Sequence, residues 1–436
     1  MFLFLFLLAL YVAQLVNRLT RYRGTMHQVP PKEFAGITLC ATFILLLLLF
    51  YKTDTEPALS WTNYVSKPEK LPPPLLVIGI DGLTLENLKY SLQKEYLPHF
   101  QALLGKGSLI RLSGFEGDQA SEWISLLTGY STVIHGVTGL EQIQYPGSIK
   151  PLGPEKLWAY FFPFFRHSAF ITTQHRRVKF LWEIASEAGF SVTAVNCWGT
   201  WPAEALQGTI FSDRCLPAYT LNQFLGQEIF PETALSQIQS LLDNIKSENA
   251  THPENLAKAS YFVDQGTQEI LNFALESSPQ LAVAYFQGFD ILQQKLEHLD
   301  LQKAENLEKK LALQLKYYHF LDALIAQYQS KYRIILLNGP GFLPQSEGFM
   351  IAYGEGFIGK EASESFSVLQ VMPTLLRALG LPRSQNMLEE IPIFEPRFLQ
   401  QFPAQEIESF GRLVPLFKKI PSPSHLEEYY RSLGYL

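Results

Sequence analysis

The chain has 436 residues, enough for one large or two medium domains together with an anchor. Hydrophobic residues make up 47% and aromatic ones 13%, so a sizeable core can be buried and disorder over most of the length is excluded. The formal net charge of −6 arises from 41 acidic and 35 basic residues mixed throughout, with no basic stripe, which sets nucleic acid aside as a partner.

Met1 to Val16 is apolar apart from Gln14, and a second uncharged run, Phe34 to Tyr51, contains Phe43-Ile44-Leu45-Leu46-Leu47-Leu48-Leu49-Phe50. A membrane-spanning helix takes roughly 20 apolar residues, a length the second run meets and the first approaches. A secretory signal is the competing reading of the first run, but the basic leading region and small-residue cleavage site of such a signal are missing. Two transmembrane helices are therefore expected. Arg18, Arg21, Arg23 and Lys32 gather between them against the single acid Glu33, and short basic loops stay cytoplasmic. This orientation puts the N-terminus and everything after Tyr51 on the non-cytoplasmic side, periplasmic or extracellular.

A tether follows at 52–74, ending in Leu71-Pro72-Pro73-Pro74, whose prolines favour a stiff extended spacer. Leu75-Leu76-Val77-Ile78-Gly79-Ile80 then reads as a strand buried on both faces. It stops at Asp81-Gly82, and Thr84 can cap the next helix. The alternation continues with a helix over Phe180 to Ala188 closed by Gly189, and a strand over Ser191 to Val195. Next come a helix over Glu254 to Leu275 and a strand over Leu281 to Phe286. A helix over Leu301 to Tyr328, a strand over Arg333 to Leu337 and a helix over Val371 to Leu379 complete the series. Strands alternating with helices predict an α/β domain over 75–436, with a mostly parallel sheet and helices on both faces. Ligands of such sheets sit beyond the carboxyl ends of the strands. Cys197 and Cys215 are either a disulfide or two separate buried thiols, Cys40 lies in the second span, and Asn249-Ala250-Thr251 is a glycosylation sequon.

Several segments occur in a telling order. Val77-Ile78-Gly79-Ile80-Asp81-Gly82 is followed by Leu97-Pro98-His99-Phe100, then by Trp123-Ile124-Ser125-Leu126-Leu127-Thr128-Gly129, and then by His135-Gly136. Arg177-Val178-Lys179, Thr200-Trp201-Pro202-Ala203-Glu204, Ser212-Asp213-Arg214, Pro373-Thr374-Leu375-Leu376 and the terminal Arg431-Ser432-Leu433-Gly434-Tyr435-Leu436 come later. The ordered set, from about Leu75 to the C-terminus, resembles the type I phosphodiesterase/nucleotide pyrophosphatase branch of the alkaline phosphatase superfamily. The resemblance implies hydrolysis of phosphate or sulfate esters by two divalent cations, usually zinc, and a Ser or Thr nucleophile. Two such ions about 4 Å apart need several carboxylates and imidazoles to hold them.

Compared position by position, the first metal carboxylate of the pattern is matched by Asp81. The nucleophile position, counted back from Trp123 and Gly129, falls on Gln119, with Ser121 as the nearby hydroxyl. The Asp with a His four residues on becomes Asp290 with Gln294, and a carboxamide is a poor zinc ligand; His298 lies one helical turn further. The Ser-Asp-His-Gly-Phe of the pattern reads Asn338-Gly339-Pro340-Gly341-Phe342, and the late His has no counterpart near Gln345-Ser346-Glu347-Gly348. Asp81 and Asp290 are then remnants of a two-metal site, too few to hold two zinc ions.

Two functions follow from this comparison. One is a membrane-anchored, non-catalytic relative without a cofactor. Such a protein would serve as a binding or assembly subunit whose partners are the membrane and a membrane protein complex or an envelope lipid or glycan. The other is an extracytoplasmic phosphoesterase or phosphotransferase with a rearranged site for zinc or another divalent cation. In that reading the loop acids Glu116, Asp118 and Glu122 join Asp81 and Asp290 in an oxygen-rich shell for Mg²⁺ or Ca²⁺. Otherwise these three acids are solvated surface.

Overall fold

A computed structural model describes residues 68–114, 117–144, 167–250, 255–300, 302–339, 347–359, 364–411 and 426–435. By its internal contacts the chain divides into two units, Met1–Leu59 and Ser60–Leu436, and every described residue belongs to the second. The two expected transmembrane runs and most of the tether lie outside the described residues. Among the described residues no helix is long and apolar enough to cross a membrane.

The sheet is built from β1 (Leu75–Ile80), β2 (Ser108–Ser113), β5 (Val192–Val195), β6 (Gly208–Phe211), β7 (Ile229–Phe230), β8 (Leu281–Phe286), β9 (Arg333–Asn338), β10 (Gly348–Tyr353) and β11 (Ser365–Ser367). A two-stranded ribbon, β3 (Glu141–Gln144) with β4 (His167–Phe170), stands apart from it, and β12 (Arg383–Ser384) pairs with β13 (Glu406–Ile407). The strand order of the large sheet is β11-β2-β10-β9-β1-β8-β5-β6-β7. The long apolar runs form its centre. β1 pairs in parallel with β8 on one side, from Leu75↔Leu281 to Ile80↔Phe286, and with β9 on the other, from Leu75↔Arg333 to Gly79↔Leu337. All six residues of each of these three strands are buried, so layers cover both faces of the sheet, as continuous apolar strands require.

The sheet is mixed rather than uniformly parallel. β10 runs antiparallel to both β9 and β2, and β7 antiparallel to β6, while the other pairings are parallel. Helix α1 (Leu85–Gln93) follows β1, and its Thr84 hydroxyl accepts from the Asn87 amide as expected from the sequence. α2 (Pro98–Leu104) comes next; its first amides, those of His99 and Phe100, donate to the buried Asp322 carboxylate. α3 (Gln119–Thr128) precedes the ribbon, and α4 (Leu181–Glu187) and α5 (Cys215–Thr220) follow it. α6 (Leu235–Ala250), α7 (Asn255–Leu275), α8 (Gly288–Glu297), α9 (Ala304–Tyr328), α10 (Val371–Ala378) and α11 (Leu426–Leu433) complete the main helices.

The proline run is not a free spacer where it meets the domain. The Pro72 carbonyl accepts from Gln280 Nε2 at 2.6 Å, and the Pro74 carbonyl accepts from the Arg333 amide at 3.2 Å. Cys197 and Cys215 are both buried free thiols, so the alternative of separate thiols holds over the disulfide.

Gly79 shows how closely the helix layer approaches β1. A Cβ at this position would fall 2.6 Å from the buried Trp123 ring of α3. Gly79→Val is expected to lower stability by about 1–3 kcal/mol through overpacking, read as a lower urea midpoint with the slope unchanged.

Candidate functional site

Three strand ends set the site. Asp81 leaves β1, Asn338 closes β9, and α8 starts just beyond β8 with Asp290 in its first turn. Asn338 Nδ2 donates to the Ile80 carbonyl at 2.7 Å, tying the tips of β9 and β1 together. Gly82 has φ +76, and a Cβ there would lie 2.7 Å from the Asp290 Cα, so the chain after β1 lies directly against the start of α8. The structure therefore brings Asp81 and Asp290 together on one edge of the sheet.

Both carboxyl groups receive hydrogen bonds from neutral donors. Gln119 Nε2 and the Tyr285 hydroxyl donate to Asp81 Oδ2, and the Gly82 amide donates to Asp81 Oδ1 at 3.0 Å. Gln294 Nε2 donates to Asp290 Oδ2 at 2.6 Å, and the Gln119 side chain lies close enough to Asp290 to lower its pKa. Gln119, at the position of the expected nucleophile, thus bonds one acid and lies near the other. Burial raises the Asp81 pKa well above the usual carboxylate range, and the charges of Asp290 and Glu122 add to the rise, outweighing the Tyr285 and Gly82 bonds that lower it. Burial also pushes Asp290 up to about 6, against the lowering bonds from Gln119 and Gln294.

The other candidate residues fall in several places. Glu122 is buried, near enough to Asp81 to raise its pKa, and a Cβ at Gly339 would overlap its carboxylate. Asp118 instead caps α3, accepting from the Ser121 amide at 2.9 Å and the Leu140 amide at 2.6 Å. Ser121 is fully buried and its hydroxyl donates to the Asp118 carbonyl at 2.8 Å. His298 is exposed at the C-terminal cap of α8. Glu116, Pro340, Gly341, Phe342, Gln345 and Ser346 lie outside the described residues. Among the described residues no group of three or more His, Cys, Asp and Glu side chains is placed to hold a metal ion.

A sequence profile of type I phosphodiesterase/nucleotide pyrophosphatase matches residues 75–333, more than half of the chain. The chain belongs to that family. No curated protein matches it. Solved structures similar to it include human ectonucleotide pyrophosphatase/phosphodiesterase 5, at 10% identity over 76% of this chain and 99% of that one, with TM-score 0.38. The PsFucS1 sulfatase from Pseudoalteromonas sp. is 10% identical over 77% of this chain and 71% of its own, with TM-score 0.41. Phosphonoacetate hydrolase from Sinorhizobium meliloti 1021 is 14% identical over 62% of this chain, with TM-score 0.37, and the chain spans 57% of that hydrolase.

Within this phosphodiesterase frame, sequence reasoning missed Tyr285, Trp198, Gln287 and Tyr435. Tyr285 had a signal: a phenol inside the otherwise apolar Leu281–Phe286 must find a partner when buried, and it finds Asp81. Trp198 packs its ring against Tyr285 at 6.1 Å and Tyr435 at 5.6 Å between centroids, an arrangement only the fold assembles. His135 was part of the family-like text but is not at the carboxyl pair. Its Nδ1 accepts from the Val137 amide, so the opposite nitrogen carries the proton and donates to Ser125 Oγ at 2.9 Å. Burial, with Arg176 and Arg177 nearby, lowers its pKa to about 3 and keeps it neutral.

A second buried acid positions α8. Asp264 on α7 accepts from the Gly288 amide at 2.7 Å and from the Tyr317 hydroxyl at 2.7 Å, capping the helix that carries Asp290. Burial pushes its pKa up to about 7. A carboxyl that holds its proton more tightly when folded stabilises the fold most below its unfolded value near 3.8. That stability is lost as pH rises towards about 7, above which the loss is complete. Asp264→Asn keeps an acceptor for Gly288 and lacks the charge. The variant is expected to lack this slope between about pH 4 and 7 and to exceed the parent above pH 7 by up to about 4 kcal/mol, measured by denaturant unfolding across that range.

Proposed function

We propose that this protein is a membrane-anchored, non-catalytic member of the phosphodiesterase family whose extracytoplasmic domain serves as a binding or assembly subunit. The observation that carries this reading is the Gln119 carboxamide, standing at the nucleophile position, bonded to Asp81 and near Asp290. A divalent cation binds the lone pairs of ionised carboxylates. Here those lone pairs take N–H and O–H donors from Gln119, Gln294, Tyr285 and Gly82, while burial and mutual repulsion favour protons on the acids. The donor set does not fit two zinc ions, because two carboxylates already satisfied by neutral donors leave too little charge and too few ligands.

Gly339 offers no ligand side chain, and any side chain there would overlap the Glu122 carboxylate, which supports the same reading. The membrane anchor rests on the runs Met1 to Val16 and Phe34 to Tyr51, and the orientation on the basic residues between them. The partner class that fits an envelope-facing domain held at a membrane is a membrane protein complex or an envelope lipid or glycan.

Metal content and turnover test the non-catalytic reading together. The purified full-length chain is expected to carry no stoichiometric zinc and to cleave bis-p-nitrophenyl phosphate no faster with added Zn²⁺, Mn²⁺ or Mg²⁺ than without. Asp81→Asn is expected to keep stability within about 1 kcal/mol, because the amide replaces a carboxyl group already favoured as neutral. Metal-dependent cleavage abolished by Asp81→Asn or Asp290→Asn would falsify the reading in favour of a rearranged hydrolytic site. For the anchor, a cysteine placed at Glu408 is expected to react with a membrane-impermeant maleimide in intact cells or spheroplasts; reaction only after lysis overturns the orientation.

A further inference from the structure

The last described segment of the chain sits over the family site. The inward side chains of α11, Leu426, Tyr429, Tyr430 and Leu433, are buried, while Glu427 and Arg431 form an exposed pair at 2.8 Å. Tyr430 packs on Phe170 and Trp198, with centroids 5.1 and 5.7 Å away, and Tyr435 meets Trp198 edge-on. The Tyr435 hydroxyl reaches Gln287 Oε1 at 3.3 Å, and its titration is raised by burial and by the charges of Asp290 and Asp81. Gly434, at φ +99, lies so close to the Gln294 carboxamide that a Cβ would overlap it. This is the carboxamide that donates to Asp290.

We infer that Leu426–Tyr435 is an intramolecular plug that closes the strand-end recess and leaves it while the sheet stays folded. The inference needs only the location of the family site, not the absence of catalysis there. The inward side chains of the plug join the main core, yet two features favour its release as a unit. The backbone amides of Gly434 and Tyr435 bond back to Tyr430 and Arg431 of the same segment, so side chains do the docking. The Tyr429 hydroxyl is buried with no hydrogen-bond partner among the described residues, a cost that release into water removes.

Leaving would uncover a recess walled by Trp198, Tyr285 and Gln287 with two carboxyl groups at its base. Such walls suit an aromatic or apolar group bearing hydrogen-bond donors, the chemistry that the Tyr435 phenol itself presents. Any ligand at this place competes with the plug, so the strength of closure sets its apparent affinity.

Two buried thiols serve as native reporters. Cys197 lines a cavity of about 10 Å³ with Trp198 and Tyr285, and Cys215 lies near enough to Tyr429 to influence its titration. In the full-length chain in detergent, amide exchange of Leu426–Leu433 is expected to be at least about tenfold faster than that of β1 and β8. Gly434→Val, which forces a side chain against Gln294, and Tyr435→Ala, which removes the tip, are each expected to speed N-ethylmaleimide labelling of Cys197 by about tenfold or more. Labelling is read by peptide mass, and exchange in β1 and β8 should remain unchanged. Equal exchange of α11 and the sheet in the parent chain overturns the inference. So does labelling that fails to rise in both variants, or rises only as the sheet itself opens. Metal-dependent phosphodiester cleavage appearing in the released variants supports the plug and overturns the non-catalytic reading. A failed plug leaves that reading untouched.

Discussion

Two carboxyl groups held side by side out of water set the terms for everything around them. Asp81 and Asp290 are brought together by the pairing of β1 with β8, with Gly82 lying close against the Asp290 backbone. Ionised together without counter-charge, they would repel each other in a poorly solvated place. Cations solve that problem in metal-dependent phosphodiesterases. Here Gln119 and Tyr285 donate to Asp81, Gln294 donates to Asp290, and burial raises the pKa of both acids. Amide and phenol donors are neutral, so they occupy carboxyl lone pairs without adding charge.

Much of this frame was legible in the sequence, and the reasons are specific. β1, β8 and β9 are unbroken apolar runs followed by turn residues, so their ends and the parallel order could be read within a residue. The adjacency of Asp81 and Asp290 followed from that order. β2 and β10 were not read. Ser108–Ser113 carries Arg111 within it, and Gly348–Tyr353 opens on a glycine directly after Gln345-Ser346-Glu347. Both belong to the antiparallel part of the sheet, where apolar periodicity is shorter and neighbours decide the pairing. The proline run misled in another way: extended geometry gives stiffness, but not where the carbonyls go, and those of Pro72 and Pro74 go to the sheet.

The chemistry of the site was less legible than its location. Gln119 could be recognised as the wrong residue for a nucleophile, yet that it hydrogen-bonds Asp81 is a three-dimensional fact. Ser121, two residues away, looked like a substitute hydroxyl. Its place in the first turn of α3 sends the oxygen back to the Asp118 carbonyl instead, the local bond that a helix N-terminus offers a serine. Glu122 was grouped with Glu116 and Asp118 as a loop acid. Helical spacing turns Glu122 inward to Asp81, while Asp118 stays at the cap.

The polar residues that made the family recognisable in the first place mostly hold the frame. His135 is a neutral hydrogen-bonded link between Ser125 and Val137, followed by a glycine at φ +85 that other side chains rarely adopt. Asp213 accepts from the Gly199 amide at 3.1 Å and fixes the turn that carries Trp198, while the Arg214 guanidinium stacks 3.8 Å above the Trp201 ring. Next to the Arg177-Val178-Lys179 text, Arg176, only 1% exposed, pairs with Glu183, whose carboxylate also accepts from the Phe180 amide at 2.7 Å and so caps α4. Removing one partner from any of these buried sets would strand the other, at a cost of several kcal/mol. The look of a phosphodiesterase is therefore carried largely by residues that the fold itself needs. The Gln119 carboxamide beside Asp81 obeys the same constraint, since a buried polar group keeps its partner.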